Sequence, residues 1–147
     1  MFRFRLQSVL DVRKILEDKV LLDFSEHQKV LKKEKERLLN IRQQKRDLID
    51  ELRDIQGKTV NVSEISSQSL SIQQCQKSED LQTQRVREAS DRADQKKEEL
   101  LEAAKKRKAM EILKTHTFEK YLSENNLHER AAIDEMAIVR HKRGEEE

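Results

Sequence analysis

Residues 10–55 read LDVRKILEDKVLLDFSEHQKVLKKEKERLLNIRQQKRDLIDELRDI. Two interleaved series, each repeating every seven residues, run through this stretch. One carries Leu10, Glu17, Phe24, Leu31, Leu38, Lys45 and Leu52. The other starts just ahead, with Leu6, Arg13, Val20, His27, Glu34, Ile41, Leu48 and Ile55. Ten of these fifteen positions are apolar, and alternating steps of three and four keep them on one helix face, the pattern of a left-handed coiled coil. The polar members weaken such a seam and fix its register.

Working outward, Gly57 suits a left-handed C-cap, and the β-branched stretch Lys58–Val62 has poor helix propensity. Serines between Ser63 and Ser71 then offer caps for a second helix. Its apolar stripe is thinner: Leu81, Val86, Ala89, Ala93, Leu100, Ala103, Met110, Leu113 and Tyr121, then Ala132, Met136 and Val139. The expected class is all-α, with two long helices forming an antiparallel coiled coil in one domain over residues 1–147. The first helix is expected at about 8–56, after Ser8 as cap, and the turn at about 57–66. The second helix follows at about 67–143, and 144–147 form an acidic tail. Folding near residue 62 pairs positions whose numbers sum to roughly 124 and leaves the second helix overhanging by about twenty residues, roughly 30 Å at 1.5 Å per residue.

Composition agrees with this reading. The 147 residues include no proline and two glycines, with 41% charged and 3% aromatic side chains. So few apolar groups do not furnish a compact globule, but they suffice for a single seam. Disorder is the competing reading of such a composition; the mixed charge signs (net +2) and the periodic apolar residues oppose it. The longest apolar run, Met136–Val139, is too short for a membrane span or a secretory signal. The lone Cys75 fits a reducing compartment. A cytoplasmic protein is expected.

No phosphate loop, nucleophile motif or cysteine pair is present, and His27, His116, His128 and His141 lack the spacing of a metal site. No catalytic, cofactor or metal residues are expected, because two-stranded coiled coils lack the concave pocket that enzymes require. Two features point to binding instead. Lys29–Arg46 holds eight Lys/Arg against two Glu. It reads as a nucleic-acid footprint, as a solvated face, or as a docking belt for acidic proteins. Phe2 and Phe4, with Ile133, Met136, Ile138 and Val139, exceed what a two-helix seam can cover, and such residues form partner surfaces.

The opening Phe2-Arg3-Phe4-Arg5-Leu6-Gln7-Ser8-Val9-Leu10 with Arg13 resembles the start of the flagellar export protein FliJ family. Arg107-Lys108, Glu111, Leu113-Lys114, Tyr121, and Asp134-Glu135-Met136-Ala137 with Arg140 extend the resemblance to the second helix. It implies a non-catalytic, stalk-like component of the type III export apparatus, at the inner membrane's cytoplasmic side and monomeric when free. The implied partners are the hexameric export ATPase, the export gate protein and substrate chaperones, with no nucleic acid. ATPase binding would fall to Phe2, Phe4, Arg5, Arg13, Ile133, Met136, Val139 and Arg140. Gate binding would fall to Leu38, Arg42, Ile49 and Ile72, where the family is often aromatic and this chain is not. The alternatives from other classes are a basic coiled coil that binds nucleic acid and a structural spacer.

Overall fold

The computed structural model describes residues 2–56 and 61–144, with side chains to Ile138 apart from that of Gln56. Two helices account for nearly all of them, α1 (Gln7–Gln56, 50 residues) and α2 (Val62–Gly144, 83 residues). Among the described residues there is no strand. The expected Gly57 cap and the 145–147 tail lie outside the described residues.

Both helix starts differ from expectation by a few residues. α1 begins at Gln7, whose amide donates to Asp11 Oδ1 (2.8 Å) and whose N–H donates to the Phe4 carbonyl (3.2 Å). Ser8 is thus already inside the helix. α2 begins at Val62, ahead of the position near Ser67, because Asn61 caps it. The Asn61 side chain accepts from Ser63 N–H at 3.4 Å, and its carbonyl accepts from Glu64 N–H at 3.0 Å. Asparagine is among the strongest N-caps. The serines behind it turn inward to the helix itself, Ser66 donating to the Val62 carbonyl and Ser71 to that of Ser67.

Each of two compact units draws a segment from both helices, residues 18–101 in one and residues 1–17 with 102–147 in the other. In the 18–101 unit, Leu31 packs on Ala89 and Ala93, with Val86 beside them. The small alanines let the backbone of α2 approach a leucine. Polar pairs flank this apolar cluster. Gln82, almost fully buried, donates to the Glu34 carbonyl (3.0 Å) and carboxylate (2.5 Å). Lys45 reaches Glu79 at 2.7 Å and Gln76 at 2.6 Å, and Arg42 reaches Glu79 at 2.8 Å. Gln68 donates to Glu51 at 2.8 Å. Numbers rising along α1 meet numbers falling along α2, so the pair is antiparallel.

In the other unit Leu10 is fully buried, and Lys114 donates to Gln7 at 2.9 Å. Arg107 pairs across the seam with Glu17 and along its own helix with Glu111 at 2.6 Å. The pairs Glu17–Arg107 and Lys45–Glu79 each meet the expected sum of 124.

These pairs explain the register. Sliding α2 by seven residues in either direction would set Lys45 against Ile72 or Val86 instead of Glu79. The same slide would set Glu34 against Cys75 or Ala89 instead of Gln82. Both shifts leave a partly shielded charge facing an apolar side chain, and an unpaired charge out of water is costly.

Candidate functional site

The segment ahead of α1 alternates in exposure. Phe2 is half-buried and Phe4 buried, while Arg3 and Arg5 are exposed. Phe2 meets the edge of Phe118 at 5.1 Å and 68°, and Tyr121 at 5.5 Å. Such aromatic pairs hold a short segment beyond the benefit of area alone. The two phenylalanines, expected as partner contacts, are therefore spent in large part on fastening the chain's own start to α2. Phe4 at 8% exposure has little surface left to offer. Arg13 is likewise half-buried at its seam position. Arg5, by contrast, is exposed, and with Arg3 and Lys114 it rims a groove of about 730 Å³ whose ionisable lining is all cationic.

Beyond Tyr121, α2 leaves its packing. Every residue from Leu122 to Ile138 is exposed, among them Leu127 at 62%, Ile133 at 63% and Met136 at 61%. Ile133 and Met136, expected as partner contacts, are thus exposed. The side chains of Val139 and Arg140 lie outside the described residues. Further exposed apolar groups in the same unit, Val12, Ile15, Leu16 and Ile112, escaped the sequence reading. The signal was present: they are apolar residues off the seam positions, which a two-helix packing has no use for.

The four expected gate residues separate into two kinds. Leu38 is buried in the seam, so its side chain faces α2 and not a partner. Ile72 is half-buried at a seam position of α2. Arg42 is exposed but already paired with Glu79, and Ile49 is half-buried on the flank. Lys45 and then Arg42, by hydrogen bonding, hold the Glu79 carboxyl below the usual carboxylate range. Glu17 and then Glu111 raise the already high affinity of Arg107 for its proton. Both shifts follow from ion pairing, across the seam and, for Glu111, along α2, as in a structural network.

Among the described residues no cluster of His, Cys, Asp and Glu is arranged for a metal ion. No helix among them is long and apolar enough to cross a membrane. Apolar and cationic side chains are presented from helices held in register by paired charges.

The flagellar FliJ protein family model matches residues 1–146. The chain belongs to the FliJ family. Among solved structures, a chain described as a YscO homolog, CT670 from Chlamydia trachomatis, superposes on this FliJ-family chain with a TM-score of 0.69 at 19% identity. The match covers 100% of this chain and 99% of that one, and shows a shared fold. A search of curated proteins gave no match. FliJ membership accords with the resemblance carried by Phe2–Leu10 and by the Tyr121 and Asp134–Ala137 signatures.

Proposed function

We propose that this FliJ-family chain is a non-catalytic, stalk-like component of the flagellar type III export apparatus. It engages the hexameric export ATPase, promotes assembly and activity of the ring, and links it to the export gate and to substrate chaperones. It works in the cytoplasm, held at the inner membrane by those partners. The observation that carries this reading is the run of exposed apolar side chains from Leu122 to Ile138, in the unit that also exposes Arg3 and Arg5. Apolar contacts supply affinity when water leaves them, and cations orient entry among acidic loops.

Stimulation of the purified export ATPase tests the assignment. Met136→Asp, or deletion of residues 130–147, should abolish stimulation while leaving helix content unchanged per residue. Leu70→Asp, an exposed substitution in the 18–101 unit, should leave stimulation nearly intact. The reverse pattern would place the ATPase contact elsewhere and overturn the assignment.

A further inference from the structure

The 18–101 unit carries a second stripe on α1, independent of the ATPase reading. Leu21, Ser25, Gln28, Lys32, Lys35 and Leu39 follow one another at steps of four, three, four, three and four. This is the same alternation as the seam, offset from it by one position. Ser25 to Leu39 line a shallow groove of about 610 Å³, with Lys29 and Glu36 on its outer edge and the buried Leu31 beneath. The stripe is apolar at its ends, where Leu21 is 49% and Leu39 59% exposed, and cationic between them.

Cationic side chains cluster on this flank. Arg42, Lys45 and Lys96 of the same unit each have a carboxylate partner. Lys29, Lys32 and Lys35 have none among the described residues. Three neighbouring cations without an ion-pair partner, bracketed by two exposed leucines, form an incomplete interface. A row at three-four spacing accepts the side chains of a further helix between its own.

We propose that this flank docks an acidic, amphipathic helix of a protein partner. The occupant would span about five turns, since the eighteen steps from Leu21 to Leu39 rise roughly 27 Å at 1.5 Å per residue. Its carboxylates would meet Lys29, Lys32 and Lys35, and its apolar residues would cover Leu21 and Leu39. A nucleic acid fits less well. The groove contains no aromatic side chain on which a base could stack, it includes the carboxylate of Glu36, and its leucines would gain nothing from phosphates.

The experiment uses the full chain and a fluorescein-labelled helical peptide of about 20 residues, roughly five turns plus ends. The peptide bears central Glu residues and leucines at three-four spacing. Controls are a scrambled peptide of equal composition and a single-stranded oligonucleotide of similar length. Saturable binding of the patterned peptide is expected, weakened about tenfold by Lys29→Glu/Lys32→Glu/Lys35→Glu and about threefold by Leu39→Ala, as partly exposed ion pairs and one apolar contact imply. Lys33→Glu, which reverses an equally exposed charge off the stripe, should leave binding within about twofold. Circular dichroism of every variant checks that the helices remain. Equal binding of the scrambled peptide would overturn the proposal, and so would preference for the oligonucleotide or a loss with Lys33→Glu as large as with the triple variant. Failure to bind the patterned peptide at about 0.1 mM, a concentration that detects even weak docking, would also overturn it. None of these outcomes bears on ATPase stimulation, so the two assignments fail separately.

Discussion

The two units solve the same packing problem differently. In residues 18–101, polar seam positions are matched across the helices: Glu34 with Gln82, Lys45 with Glu79, and Asp23 with Lys96 at 4.0 Å. An apolar cluster of Leu31, Ala89 and Ala93 sits among them. In residues 1–17 and 102–147, the seam holds Leu10, the Arg107 network and an aromatic clasp, and then stops at Tyr121. The outer surfaces differ in the opposite sense. Among the described residues, thirteen exposed large apolar side chains belong to the terminal unit and eight to the larger 18–101 unit. One unit spends its apolar residues on itself and the other holds them out. The lesson is that a seam with few apolar residues gains its register from matched polar pairs.

The largest effect that bears on this contrast should come from Leu31→Ala. Truncating a buried leucine costs about 2–4 kcal/mol, read by urea unfolding with far-UV circular dichroism. Amide exchange should then accelerate through residues 18–101. If Leu10→Ala accelerates exchange through 18–101 just as strongly, the two units open as one block and the distinction between them breaks.

Next comes Arg107→Met, which leaves Glu17 without its partner and should lower stability by less than Leu31→Ala in the same assay. Lys45→Met should cost less, under about 1 kcal/mol, because Arg42 still reaches Glu79. The reverse order would mean that the terminal network is the looser of the two.

Acidification sharpens the point for a single carboxylate. Glu79 has a folded-state pKa below the ordinary value of 4.5. Its pairing therefore contributes fully above that value and is lost as the pH falls through the lower, folded one. The thermal midpoint should decline below about pH 4.5, and Glu79→Gln should remove part of that decline. The smallest effect belongs to Ile15→Ser. At 66% exposure this substitution should change stability by no more than about 0.5 kcal/mol.

Much of the fold was legible because α1 keeps a regular seam. Of the fifteen positions assigned there, fourteen are buried or half-buried, and only Leu6 is exposed, with Gln7 and Phe4 taking its place. α2 was harder to read because its seam is largely polar. Leu81 and Leu113 were assigned to it by hydropathy, yet both are exposed at 54% and 44%. The seam instead uses their neighbours Gln82 and Lys114, along with Gln68, Glu79, Lys96 and Arg107. Hydropathy cannot find such positions, but complementarity can: Glu17, Glu34 and Lys45 on α1 already called for opposite or hydrogen-bonding partners at the mirrored positions. The exposure of Ile133 and Met136 was legible, because these apolar residues fall beyond the last seam position at Tyr121. The packing of Phe2 was not legible, because its aromatic partners Phe118 and Tyr121 lie far away in sequence.

The regular seam also bears on how such chains are recognised as kin. Only two residues in seven face the partner helix, and the seam asks of them only apolar character or a matched polar pair. The other five of each seven are free to vary so long as they tolerate water. Descent can therefore rewrite most of the letters while the geometry stands still. The chlamydial chain has the same fold at 19% identity, with a TM-score of 0.69. Relatives in this family are better sought by the spacing and pairing of seam positions than by identity along the chain.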